Sequence, residues 1–100
     1  MDDMVQFVRD RLDDDAEIAR TTGNMMITAG VDKLGLTLEF AERQARFRDQ
    51  AAEAKRALFE ETIRPYLGTA GPTGRIAEQQ IRLFAAMHAG HPEYRDEWRP

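Results

Sequence analysis

Cysteine is missing from this 100-residue chain. Disulfide staples, thiolate metal sites and cysteine nucleophiles are excluded with it, and nothing in the composition points to an oxidising compartment. Aromatic residues make up only 8% and the one tryptophan is Trp98, while much of the 42% apolar content is alanine. Alanine favours helix but buries little area, so a core must lean on few large side chains. The longest mainly apolar run, Met25 to Val31, falls far short of the roughly 20 residues that span a bilayer. An acidic N-terminus also lacks the basic flank of a signal peptide, so a cytoplasmic chain with no membrane partner is expected.

A surplus of positive charge is the next absence. Net charge is -4, and its location is informative. Residues 1–20 hold seven acids against three arginines, residues 32–64 seven acids and seven bases, and residues 73–100 four of each. Nucleic-acid affinity comes from neutralising phosphates with Lys and Arg, and no segment offers an excess. A nucleic-acid partner is therefore disfavoured.

What is present is helical periodicity. Behind Asp2 or Asp3 as cap, Met4, Val5, Val8, Leu12, Ala16 and Ala19 recur at helical spacing, predicting a first helix to about Thr21 with Gly23 as its stop. Residues 24–30 read as a docked connection, with a short strand around Met25, Met26 and Ile27 as the alternative. A second helix, starting at Asp32 or Thr37, runs to Arg64, where Pro65 stops or kinks it. Thr73 then caps a third helix through Ala89, with Ile76, Ala77, Ile81, Leu83, Phe84, Met87 and His88 on one wide face and Gly90 at its end. Tyr94 and Trp98 follow at i and i+4, suiting one or two helical turns. The reading is one all-α domain over 1–100: a three-helix arrangement with a long central helix and a short aromatic turn at the C-terminus.

The central helix carries two apolar seams at 100° per residue. Phe40, Phe47, Ala51, Ala54 and Leu58 form one, and Ala41, Ala45, Ala52, Phe59 and Ile63 form the other. Two seams need two neighbours, or one neighbour and a second chain. From Asp32 to Arg64 a helix would run about 48 Å, longer than the roughly 33 Å diameter expected of a compact chain of this length. The fold must then be elongated, or the helix must break, for which Gly35 and Thr37 are suited.

Residues able to carry chemistry are sparse. Asp13, Asp14 and Asp15 diverge by 100° each on a helix and cannot converge on one ion, so a solvated acidic face is expected. His88 suits a helix C-terminus, and His91 precedes Pro92 in a turn. The Gly68 to Gly74 link lacks the lysine and following Ser or Thr of a P-loop. Spacing identifies no nucleophile with a base and an orienting group, so an enzyme, a cofactor and a metal are not expected. Two readings fit the aromatic end: Tyr94 and Trp98 fold back on the core, or Tyr94, Arg95, Trp98 and Arg99 form a partner anchor, residue types that dominate interface hot spots.

Three stretches carry a resemblance. They are the opening Met1 to Asp15 (MDDMVQFVRDRLDDD), the internal Glu53-Ala54-Lys55-Arg56, and the ending His91 to Pro100 (HPEYRDEWRP). Together they resemble a family of short actinobacterial and actinophage proteins of unknown function. Members often have a Gly-Pro-Trp-like step after the first helix and extra Cys and His before the last. Here Gly23-Asn24-Met25-Met26 and the cysteine-free link stand instead, so a metal role does not carry over. The resemblance implies a bacterial or phage host cytoplasm and supplies no activity.

Two classes of function follow. The first is a protein interaction module that binds itself or a host protein, with a homodimer expected through the Phe40, Phe47, Ala51, Ala54 and Leu58 seam. The second is a nucleic-acid-related role, either weak binding through Arg75, Arg82, Arg95 and Arg99 or imitation of DNA by the acidic first helix. Balanced charge weighs against the binding, and seven acids are few for the imitation.

Overall fold

A computed structural model describes residues 1–100. It is all-α, with no strand. α1 (Asp2–Met25) continues through a π-helical segment (Met26–Gly30) into α2 (Val31–Leu34); α3 (Leu38–Ala57) continues through a second π-helical segment (Leu58–Ile63) into a 3₁₀ turn (Arg64–Tyr66). α4 (Gly71–Ala86) and a 3₁₀ turn (Asp96–Trp98) complete the chain. Two compact units result: Met1–Arg11 with Arg56–Pro100, and Leu12–Lys55. α1 and α3 run through both.

Several expected boundaries move, for local reasons. Gly23 does not stop α1. It is buried in the helix, where a Cβ would lie 3.0 Å from that of Ala45, so its lack of a side chain serves a close helix approach rather than a left-handed turn. Residues 24–30 are neither connection nor strand: they stay helical, the only way for backbone groups without a partner strand to pair locally. Within them Thr28 Oγ1 donates to the Asn24 carbonyl at 2.8 Å. The helix ends instead at Gly35, left-handed at φ 73°, and the Leu36 amide returns to the Gly30 carbonyl at 3.1 Å. α3 then starts at the Thr37 cap, where Thr37 Oγ1 accepts from the Phe40 amide at 3.2 Å. The long central helix therefore breaks near its start, at the glycine and threonine suited to it.

At the other ends, Asp2 and Asp3 lie inside the first turn of α1, since the Val5 amide bonds back to the Met1 carbonyl at 3.0 Å. Their charges still suit the dipole. Thr73 is no cap: α4 starts at Gly71 behind an extended Ala70, with Pro72 in its first turn. α4 ends at Ala86, ahead of Gly90, and hydrogen-bonded turns carry the chain on to His91.

In the first unit Met4, Phe7, Val8, Phe59, Ile63, Ala77, Ile81, Ala85 and Trp98 are buried. α4 packs on the π segment and the 3₁₀ turn that follow α3, with the Phe59 and Phe84 rings 5.8 Å apart. Its buried stripe, Gly74, Ala77, Ile81 and Ala85, is narrower than the wide face expected. Ile76, Leu83 and Met87 lie outside it and are exposed.

The second unit is a helical hairpin. Asp15 pairs with Lys55 at 2.9 Å and Gly23 meets Ala45, so α1 and α3 run antiparallel here. Its interior is Leu12, Ala19, Gly23, Gly30, Ala41 and Ala45. All but one of these are alanine or glycine.

Candidate protein-interaction surface

The aromatic end folds back. Trp98 is only 7% exposed, and its ring centroid lies 5.1 Å from Phe7 and 5.8 Å from Tyr94. Arg82 donates to the Glu97 carbonyl at 2.9 Å and Arg95 to Asp3 at 3.1 Å, tying the segment to α4 and to the start of α1. The Arg95 guanidinium also lies 5.4 Å from the Trp98 ring, and Arg99 pairs with Asp96 at 3.2 Å. Trp98 and the half-buried Tyr94 are thus core residues, and of the expected partner anchor only Arg95 and Arg99 face solvent. The physical reason is Phe7, a large buried ring absent from the expected face of α1, which gives the aromatic segment something to cover.

Phe7 also receives Arg11 and His91. The Arg11 guanidinium lies 5.1 Å from the Phe7 ring, its Nη1 is 2.8 Å from His91 Nδ1, and the Glu93 carboxylate is 3.7 Å away. Arg11 is buried, Phe7 and His91 meet edge to face at 5.7 Å, and the Glu93 amide donates to His91 Nδ1 at 3.1 Å. An imidazole used this way braces a turn. Spacing on α1 could have revealed both missed residues, since Phe7 and Arg11 follow Met4 at i+3 and i+7. Tyr94 carries a buried hydroxyl with no hydrogen-bond partner.

A second polar cluster joins α1 to the π segment of the same unit. Arg9 donates to both oxygens of Glu60, at 2.7 and 3.0 Å, with Arg64 3.8 Å from the same carboxylate. These hydrogen bonds hold the Glu60 carboxyl below its ordinary range; partial burial opposes them, and the charges of Arg9, Arg64 and Arg56 add to them. The arrangement is an ion-pair network. No group of His, Asp and Glu side chains is placed to hold a metal ion, and no helix is long and apolar enough to cross a membrane.

Burial separates the two seams of α3. Ala41, Ala45, Phe59 and Ile63 are buried and Ala52 is half-buried, whereas Phe40, Phe47, Ala51, Ala54 and Leu58 are all exposed. Phe47 is 66% exposed, and across a groove in the hairpin stands Ile18 at 62%. Met25, seven residues beyond Ile18 and so on the same side of α1, is exposed as well. Leu12 apart, the fully buried interior of the hairpin is made of small residues, while Ile18, Met25, Phe40 and Phe47 stand in water. Ile18 and Met25 escaped the sequence reading, although their spacing of seven matches that of Phe40 and Phe47.

An all-α protein with a sealed aromatic core in one unit and an open apolar face on the other is what the geometry defines. It belongs to a family of unknown function (DUF6221), whose model matches residues 1–100. No curated protein and no solved structure matches the chain.

Proposed function

We propose that the chain is a protein-binding module, of the accessory kind that actinophages and their hosts carry. It works in the host cytoplasm, and the open face of the hairpin is its binding surface, taking itself or a host protein. One observation carries this reading: Ile18, Met25, Phe40 and Phe47 are exposed beside an interior of alanine and glycine. Burying a large apolar side chain stabilises by about 1.5–3 kcal/mol, and grouped exposure on one face marks an interaction site rather than scatter. The sealed Trp98 cluster, by contrast, spends its aromatics within the chain. Phe47→Asp tests the reading. Because Phe47 is mostly exposed, the variant should keep the helical spectrum and nearly the melting temperature of the wild type, while an immobilised sample should lose the proteins the wild type retains from a bacterial host lysate. Equal retention by both would remove the face from consideration.

A further inference from the structure

The exposed seam of α3 has an internal order that selects its occupant. Phe40, Gln44, Phe47, Ala51, Ala54 and Leu58 follow one another at spacings of four, three, four, three and four, the repeat of a helix that packs against another helix, with Gln44 half-buried and the others exposed. Phenylalanines occupy its N-terminal half, alanines its middle, and Leu58 its C-terminal end. We infer that the occupant is a second copy of this chain, docked antiparallel through α3 so that Phe47 of each copy packs on Ala51 of the other. This inference rests on the preceding reading of the open face.

Size and charge both choose the direction. In a parallel pair, Phe47 would meet Phe47 and Ala51 would meet Ala51, leaving the phenylalanine layers too wide and the alanine layers open. Reversing one helix sets Phe47 against Ala51 and Gln44 against Ala54, so the central layers pair a larger side chain with a smaller one, and Phe40 meets Leu58 at both ends. A parallel pair would also bring Arg43 beside the other copy's Arg48 on both flanks, two like-charge contacts, whereas the antiparallel pair brings Arg48 near Arg48 once. The face is suited to its own copy in a further respect. Its rims carry both signs, with Asp14 and Glu17 beside Ile18 and Arg48 beside Phe47, so two copies do not meet as surfaces of one charge.

Area sets the strength. α3 has 20 residues, a length of about 30 Å, and a strip about 10 Å wide gives roughly 300 Å² per copy, under half of the roughly 800 Å² of a standard interface. Association is therefore weak, and sedimentation velocity must be run from about 10 μM to about 1 mM, spanning the affinity range of such contacts.

A swap of knob and hole is the decisive test. Phe47→Ala alone should weaken the dimer about tenfold or more by removing the knob, and Ala51→Phe alone should do likewise by filling the hole. The double variant, with Phe47→Ala and Ala51→Phe, should recover dimerisation, because each new phenylalanine meets a new alanine. Circular dichroism checks that all three fold, as expected for exposed positions. A dimer that the double variant fails to restore would overturn the antiparallel pairing. A chain that stays monomeric to about 1 mM would overturn the second copy as occupant. In that case a lysate protein held by the wild type and released by Phe47→Asp leaves the binding face standing, and retention unaffected by Phe47→Asp brings down both.

Discussion

The Trp98 indole and the Phe7 ring lie 5.1 Å apart and tilted by 53°, joining positions near opposite ends of the chain. Both are almost wholly buried. Such a pair contributes through the area it removes from water and through its ring contact, the latter adding about 0.5–1.5 kcal/mol.

Phe7→Ala should therefore destabilise the protein by about 3–5 kcal/mol, read by urea denaturation. Because Trp98 is the only tryptophan, its emission should shift to longer wavelength in any variant that releases the aromatic segment. Trp98→Ala should cost a similar amount. A loss below about 1 kcal/mol in both would mean that the segment is not part of the core.

Acid stability should depend on Glu60. Its carboxyl is held below its ordinary range in the folded protein, first by the Arg9 hydrogen bonds. The contribution is therefore complete above the unfolded value of about 4.3 and is lost as the pH falls through the folded value. Stability measured by denaturant across that window should fall more steeply with acid in the wild type than in Glu60→Gln. Equal slopes would show the pair to be electrostatically idle, and a steeper fall in the variant would reverse the sign.

Three glycines form a graded series. A Cβ at Gly74 would overlap the Thr69 carbonyl oxygen, one at Gly23 would press on Ala45, and one at Gly90 would meet open space. Gly74→Ala should destabilise most, by about 1–3 kcal/mol or more, Gly23→Ala less, and Gly90→Ala by no more than about 0.5 kcal/mol. Thermal melts rank them directly. Any order placing Gly90→Ala above Gly74→Ala would contradict the packing described.

Duplex DNA should not bind above the level of a generic acidic protein at physiological salt, since none of the three charge segments holds excess Lys and Arg. A fluorescence titration with submicromolar, steeply salt-dependent binding would favour the nucleic-acid reading instead.

Helix existence, the break at Gly35 and the Thr37 cap were legible in the sequence because periodicity and capping are local. So was the division of α3 into two seams, which follows from 100° per residue. What was not legible depended on neighbours. Gly23 reads as a stop until Ala45 is known to lie against it, and with the stop placed there residues 24–30 read as a docked connection although the helix runs on through them. Thr73 has a capping side chain, but Pro72 and the extended Ala70 begin the helix before it. The fate of the aromatic end turned on Phe7, some 90 positions away, a separation that no local pattern reports. Which seam stays open was likewise a matter of what packs beside it.

The π segments bear on how this chain tolerates insertions and deletions. A π turn holds one residue more than the α-helix it interrupts, so removing a residue from Leu58–Ile63 would make the hydrogen bonding of that stretch more regular. Because the π turn already absorbs that extra residue, the later side chains would keep nearly their present direction about the axis. A residue lost between Glu60 and Arg64 would bring the pair from a spacing of four to one of three, still neighbours on a helix, and the chain would enter the Gly68 turn much as before. A one-residue gap is therefore better absorbed here than in the α-helical stretches on either side, so single-residue gaps in alignments of related chains should fall within this segment.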